Sequence, residues 1–230
     1  MSTLSTRIRD AWKSIGTAYA YSTTLPGNIE QAFGCDTLIV LHDDEGAKVC
    51  LIEAKWPRVA AKPSYKWDQL KKQKGKTTRV SHFSSQIARQ QSLLPDAVVA
   101  EMFLLESPPG TRSSVLDDFG STLVLQKTAH SFDSSRRAAT LPWSNMAFWE
   151  LMGYAGKKKL NLEQLVYGMA CCDIGKPLPI VNGEVTLASS GDQEKIKIPT
   201  SLERLDQLTP ELCRRLGISN FVSLGMRWLG

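Results

Sequence analysis

The segment "DTLIVLHDDEGAKVCLIEAK", residues 36–55, predicts a β-hairpin from which the rest of the fold can be worked out. Two apolar runs, TLIVL and KVCLI, flank the short polar sequence HDDEGA. Apolar runs of this length around Asp, Glu and Gly are typical of two antiparallel strands joined by a tight loop. If residues 43–46 form a four-residue loop, His42 pairs with Ala47, and the register of all the other pairs follows.

This register places three charged side chains at the open end of the hairpin. Asp36 falls opposite Glu53. Lys55 lies two residues beyond Glu53 on the same face, because side chains alternate along a strand. Opposite residues have Cβ atoms about 4.5–5.5 Å apart, so two carboxylates there repel each other unless a cation lies between them. Mg²⁺ fits this position, because it prefers carboxylate and carbonyl oxygens and commonly works beside a phosphate.

Phosphodiester hydrolysis is the chemistry that such a site suits, because a metal polarises the phosphoryl oxygen and acidifies a bound water. Lys55 would orient that water or stabilise the charge that develops on the phosphorus group. The alternative is an inert ion pair between Glu53 and Lys55 at the edge of the sheet.

The longer segment "NIEQAFGCDTLIVLHDDEGAKVCLIEAK" resembles the PD-(D/E)xK nuclease superfamily. It is most similar to restriction-endonuclease-like members with a helical glutamate, a Gly-x-Asp strand start and an (E/Q)AK strand. The resemblance extends over about residues 28–106. The matching residues are Glu30, Asp36, Glu53, Ala54 and Lys55.

The resemblance implies a metal-dependent nuclease with an αβββαβ core. It implies that Asp36, Glu53 and the carbonyl of Ala54 bind Mg²⁺ or Mn²⁺. Glu30 would hold a second ion or a water; the alternative is a charge that favours the start of its helix. Cys35 stands where the motif often has proline.

Many members of this superfamily carry a glutamine on the helix after the ExK strand. By this resemblance Gln86 is a candidate catalytic residue, with Gln90 one helical turn away on the same face. Gln69 and Gln73 are rival candidates, and a surface role is the alternative for each of them.

A basic stretch, "KPSYKWDQLKKQKGKTTR", follows the hairpin at residues 62–79. Asp68 is its only acid, and aromatic residues interleave with the cations. Phosphates attract such a stretch, and aromatic faces stack on bases. The alternative is a solvated helix or loop. The residues that we predict to contact nucleic acid are Lys66, Trp67, Lys71, Lys72, Lys74, Lys76 and Arg79.

Strand and helix patterns elsewhere predict an α/β fold with a mixed central sheet flanked by helices. Residues 1–135 would form the restriction-endonuclease-like core, and residues 136–230 would form a C-terminal α+β extension that packs on it. We predict further strands in DAVVAEMFLLE and STLVLQ and a second hairpin in PIVNGEVTL. We predict helices at residues 4–20, 29–33, 81–94, 144–155, 161–172 and 209–217.

Composition limits the classes of protein to which the chain can belong. The 230 residues are 42% hydrophobic and 22% charged, which is typical of a globular protein. Five cysteines without a CxxC argue against a zinc site or a disulfide framework. The N-terminal sequence lacks the apolar core of a signal peptide, and no run is long enough to span a membrane, so we expect a cytoplasmic protein without a membrane partner.

The net charge of +5 favours a polyanionic partner. The resemblance implies a nuclease, and DNA is the more frequent substrate in families of this kind, so we expect a nuclease that acts on DNA. The alternatives are an RNA endonuclease, or a non-catalytic nucleic-acid-binding or assembly protein that keeps the fold. The C-terminal part carries no motif, and it could complete the fold, form a homodimer interface or bind a partner.

Overall fold

The fold is seen in a computed structural model that describes part of the 230-residue chain. The described residues are 19–24, 35–57, 67–72, 79–91, 96–104, 121–136, 141–188, 195–201, 204–205, 211–212, 214 and 218–226, with the backbone alone for 19–24. They form an α/β structure with a mixed sheet. No helix among them is long and apolar enough to cross a membrane.

Strands and helices follow one another in mixed order. The strands are β1 (Tyr19–Thr24), β2 (Thr37–His42), β3 (Gly46–Lys55), β4 (Leu70–Lys72), β5 (Arg79–Ser81), β6 (Ala97–Leu104), β7 (Ser121–Leu125), β8 (Leu178–Val181), β9 (Glu184–Ala188), β10 (Lys195–Pro199) and β11 (Asn220–Gly225). The helices are α1 (His82–Gln90), α2 (Gln126–Ser135), α3 (Asn145–Ala155) and α4 (Leu162–Ala170), with a 3₁₀ helix at Gly156–Lys158.

The chain divides into two compact units, each built from separate segments. The first unit comprises Met1–Glu53, Ser92–Val99 and Val166–Gly230. The second unit comprises Ala54–Gln91 and Ala100–Leu165. Each unit takes residues from both sides of position 135, so neither coincides with the predicted core or the predicted extension.

The sheet of the first unit runs in the order β1-β11-β2-β3-β8-β9-β10. Strand β11 is parallel to β2, and the pairs β1–β11, β2–β3 and β8–β9 are antiparallel. All six residues of β2 are buried, as expected for a strand covered on both faces. The core includes Leu38, Val49 and Leu51 from the hairpin and Phe221 from β11. Strand β3 also pairs with β6, whose residues 97–99 belong to this unit.

Strand β1 corrects the predicted helix at residues 4–20. Tyr19 and Ala20 lie in this strand, which pairs antiparallel with β11 from Tyr19↔Gly225 to Thr24↔Asn220. The sequence YAYSTT is rich in aromatic and hydroxyl residues that suit a strand better than a helix. The earlier residues of the predicted helix lie outside the described part of the chain, as does the helix predicted at 29–33.

The second predicted hairpin is confirmed. Val181 pairs with Glu184, which leaves Asn182 and Gly183 as a two-residue turn. Both have positive φ, 53° and 72°, as a type I′ turn requires. Asn and Gly are the residues that tolerate this backbone at least cost.

The core of the second unit is strongly aromatic. Trp67 stacks on Phe148 with ring centroids 4.5 Å apart, and the edge of Phe103 meets the Trp67 ring at 5.6 Å. Phe83 of α1 contacts the fully buried Trp143 at 4.7 Å. Strand β7 pairs antiparallel with β6.

Three predicted helices are confirmed as α1, α3 and α4, and two of them begin at serine caps. The Ser81 hydroxyl accepts from the N–H of Ser84, and the Ser144 hydroxyl accepts from that of Ala147. The strands predicted in DAVVAEMFLLE and STLVLQ are confirmed as β6 and β7. Of the helix predicted at 209–217, the described residues 211, 212 and 214 are helical.

Candidate active site

The β2–β3 hairpin has the predicted register. Its pairs run from Thr37↔Ile52 to His42↔Ala47. The turn is tightened by the N–H of Asp43, which donates to the carbonyl of Gly46 at 3.0 Å. The Asp43 carboxylate accepts the N–H groups of Glu45 and Gly46, both at 2.8 Å. Turn geometry and strand pattern therefore fix the same register.

Asp36 lies at the end of this ladder with its backbone held on two sides. Its N–H donates to the carbonyl of Ile52 at 2.8 Å. Its carbonyl accepts the N–H groups of Ser219 and Asn220, each at 3.0 Å. The Asp36 side chain is half-buried.

Regular pairing stops one residue short of the predicted Asp36–Glu53 pair. Ile52 is the ladder partner of Thr37, and it also receives the N–H of Asp36. Two consecutive residues therefore oppose one, as in a β-bulge. A bulge changes the direction of the side chain at the extra residue. The direction of the Asp36 carboxylate therefore depends on this local geometry and not on strand alternation alone.

Glu53 is a buried acid near the end of β3, with 4% of its surface exposed. Ala54 and Lys55, which follow it, are half-buried. A carboxylate removed from water interacts more strongly with a nearby cation, because the effective dielectric constant is lower. Glu53, two residues before the end of the strand, is therefore a side chain suited to hold a cation.

Lys55 and Gln86, predicted separately, are in contact in the second unit. Lys55 Nζ donates to Gln86 Oε1 at 2.6 Å, and Gln86 is 2% exposed. The same ammonium lies 4.6 Å from the centre of the Phe83 ring. A charge-assisted hydrogen bond and a cation–π contact together hold the ammonium in one place. The structure thus brings Gln86 to Lys55, whereas the rival candidate Gln73 lies outside the described residues.

The donor set suits a hard divalent cation. Asp36 and Glu53 offer carboxylate oxygens and Ala54 offers a carbonyl, which are the ligands that Mg²⁺ and Mn²⁺ accept. Within the described residues no group of three or more His, Cys, Asp or Glu side chains is placed to hold a metal. Glu30, the third predicted carboxylate, lies outside those residues.

Trp67 corrects one predicted nucleic-acid contact. The ring is 3% exposed and packs between Phe148 and Phe103, and its Nε1 donates to Asn145 Oδ1 at 3.0 Å. A ring buried in this way has no face open for stacking on a base. The large apolar surface of tryptophan is more favourable in the core than on a polar stretch.

The described cations of the basic stretch lie on the surface. Lys71, Lys72 and Arg79 are exposed on the β4–β5 hairpin. Lys72 pairs directly with Arg79, and like charges in opposite positions destabilise a hairpin unless an anion lies near them. Asp68, the only acid of the stretch, is buried and accepts from Ser81 Oγ and the N–H of Phe83, so it does not neutralise this surface. Lys66, Lys74 and Lys76 lie outside the described residues.

His82 is a feature that sequence reasoning missed. Its Nε2 lies 3.1 Å from Lys71 Nζ. Burial lowers the pKa of His82 to about 4, and the charges of Lys71, Lys55 and Arg89 add to the effect. Because an ammonium only donates, the neutral ring accepts from Lys71. The cluster arises from the β4–β5 pairing, for which the polar sequence carries no clear signal.

The comparisons with known proteins found no match for this chain. No protein-family model, no curated protein and no solved structure matches it.

Proposed function

We propose that the protein is a divalent-metal-dependent nuclease that hydrolyses phosphodiester bonds in DNA. The observation that carries the proposal is the register of the β2–β3 hairpin, which sets Asp36 at the end of the ladder where β3 presents Glu53. The contact between Lys55 and Gln86 is a second observation that supports it, because the resemblance implies that both residues belong to one site. The exposed cations on the β4–β5 hairpin support a polyanionic substrate.

We also propose a restriction-endonuclease-like core. The described elements β1, β2, β3, α1 and β6 follow one another in the order βββαβ, with the short β4–β5 hairpin inserted before α1. This order agrees with the last five elements of an αβββαβ core. The sheet differs in that β11 lies between β1 and β2.

In this proposal Asp36, Glu53 and the carbonyl of Ala54 hold Mg²⁺ or Mn²⁺, with Glu30 holding a second ion or a water. The metal supplies Lewis acidity at the phosphoryl oxygen and lowers the pKa of a bound water. Lys55 directs its ammonium at the attacking water or at the charge that develops on the phosphorus group. Gln86 acts as a positioning residue, because its carbonyl oxygen holds that ammonium at 2.6 Å.

The test is incubation of the purified protein with circular and linear DNA, and with RNA in parallel, with Mg²⁺, with Mn²⁺ or with EDTA. We expect metal-dependent cleavage of DNA that stops in EDTA and is absent from the Glu53→Gln variant. Cleavage that continues in EDTA would refute the metal mechanism. A folded protein that binds DNA and cuts neither nucleic acid with either metal would instead support the non-catalytic alternative.

A further inference from the structure

A pocket of about 240 Å³ opens on the surface of the second unit, and none of its described lining residues belongs to the proposed catalytic set. Its lining residues come from α2, from the end of α3 and from the following 3₁₀ helix. They are Lys127, Thr128, Ser131, Tyr154 and Lys158. Two lysines, two hydroxyl residues and a tyrosine therefore line one space, and no acidic residue is among the described residues that line it.

Backbone contacts bring the two lysines to the same pocket. Leu123 of β7 and Leu160 exchange two hydrogen bonds, Leu123 N–H to Leu160 carbonyl at 2.7 Å and the reverse at 3.0 Å. Leu123 precedes Lys127 by four residues, and Leu160 follows Lys158 by two. The bridge therefore holds the segments that carry the two lysines next to each other. Gly156, with φ of +52°, allows the chain to turn out of α3 into the 3₁₀ helix.

No residue of the described part of the chain forms an ion pair with the two lysines of the pocket. Lys127 and Lys158 are both exposed. Helix α2 begins without a side-chain cap and without an acid in its first turn, so its positive end adds to the same potential. An anion bound in the pocket would be attracted by both lysines and by the start of this helix.

The chemistry of the lining selects the anion. Ser131 Oγ donates to the carbonyl of Lys127 at 2.8 Å, which leaves the Thr128 hydroxyl and the Tyr154 phenol as neutral donors beside the two ammonium groups. These donors reach the pocket from three elements, α2, α3 and the 3₁₀ helix. A tetrahedral anion presents oxygens in several directions, so it suits such a set of donors better than a planar carboxylate does. Two positive charges match the charge of a terminal or free phosphate, and they exceed the single charge of a backbone phosphodiester.

We propose that this pocket binds a phosphate group, either a phosphate of a nucleic acid strand or a free phosphate. This proposal does not depend on the proposed nuclease activity, because the pocket shares no residue with the candidate active site. The 54% exposed ring of Tyr154 gives a nucleic acid strand a surface on which a neighbouring base can stack.

The test uses the full chain in EDTA, where a metal-dependent reaction cannot start. Anisotropy of a labelled single-stranded oligonucleotide, with and without a 5′-phosphate, is measured against salt concentration for the wild type and for Lys127→Gln/Lys158→Gln. Lys157→Gln is the matched control, because this exposed lysine neighbours Lys158 and does not line the pocket. In parallel, the thermal midpoint is measured in inorganic phosphate and in chloride of equal ionic strength.

We expect the double variant to keep its fold and to lower the slope of log affinity against log salt by roughly 0.7, the value for one lost phosphate contact on a single strand. An equal loss for both oligonucleotides identifies a backbone phosphate, and a loss confined to the 5′-phosphorylated one identifies a terminal phosphate. If only inorganic phosphate distinguishes the wild type from the variant, by raising the thermal midpoint of the wild type alone, the ligand is free phosphate. Equal behaviour of wild type, double variant and control with all three probes would overturn the proposal.

Discussion

The hydrogen bond between Lys55 and Gln86 makes the most discriminating prediction about the candidate site. Replacing Gln86 by Leu keeps a side chain of similar volume in a position that is 2% exposed, and it removes the acceptor of the Lys55 ammonium. A hydrogen bond to a charged group contributes about 1.5–3 kcal/mol to stability. The Phe83 ring, 4.6 Å away, still faces the ammonium and retains part of the interaction.

We therefore expect Gln86→Leu to lower the free energy of unfolding by about 1.5–3 kcal/mol, which corresponds to a fall of roughly 3–12 °C in Tm for a chain of this size. If Lys55 is catalytic, the loss of its positioning partner should also lower the cleavage rate by about 100-fold. Urea unfolding measures the first effect, and cleavage per folded molecule measures the second.

Two further variants separate positioning from general destabilisation. Gln126 is also fully buried, and its Nε2 donates to the carbonyl of Ile87 at 2.7 Å. Gln126→Leu should therefore also lower the free energy of unfolding, by about 0.5–1.5 kcal/mol, and leave the cleavage rate per folded molecule unchanged. In a Lys55→Met background, Gln86→Leu should lower the rate no further, because Gln86 acts only through the ammonium. Additive losses of activity in the double variant, or an equal loss in Gln126→Leu, would refute the positioning role.

Three other predictions follow from the same structure. Asp36→Ala and Glu53→Ala should each lose both Mn²⁺ affinity and activity. Lys55→Ala should lose activity and keep Mn²⁺ binding, because an ammonium is not a metal ligand. Calorimetry with Mn²⁺ measures the difference, and normal cleavage by folded Lys55→Ala would support the inert ion pair. The double variant Lys72→Gln/Arg79→Gln should lower the slope of log affinity against log salt for duplex DNA by up to about 1.8, at roughly 0.9 per phosphate contact. The control is the same replacement of the exposed pair Lys176 and Lys195. An unchanged slope would mean that the β4–β5 cations are a solvated surface. The pKa of His82 is lowered from 6.5 to about 4, so between these pH values the unfolded chain binds a proton that the folded chain does not. The free energy of unfolding should therefore fall as pH falls through this window. In urea unfolding, His82→Gln should weaken this pH dependence, and an identical dependence in both proteins would contradict the prediction.

Local patterns predicted the hairpin because its information is local. Alternation, apolar runs and the Asp-containing turn all lie within residues 36–55, and each favours the same register. The Asn182-Gly183 turn was predictable for the same reason. The bulge at Asp36 was not, because its N–H and carbonyl are positioned by Ile52 on one side and by the start of β11 on the other.

The errors come from partners that are distant in sequence. Tyr19 fits a helical apolar pattern, but its strand forms because β11 pairs with it. Trp67 lies in a polar stretch that reads as surface, yet its ring packs on Phe148. Neither partner can be identified from the neighbouring sequence, so tertiary contacts override the local preference.

The position of β11 sets an order in which the first unit can be completed. Strand β11, Asn220–Gly225, is the last described strand in the chain, but in the sheet it lies between β1 and β2 and pairs with both. During synthesis, β1 and β2 leave the ribosome long before β11, the strand that pairs with both. Until β11 is made, the edges of β1 and β2 that pair with it have unpaired backbone groups. Contacts of such long sequence separation fold slowly. A fragment that ends before residue 220 should therefore leave these two strand edges unpaired and aggregate more readily than the full chain.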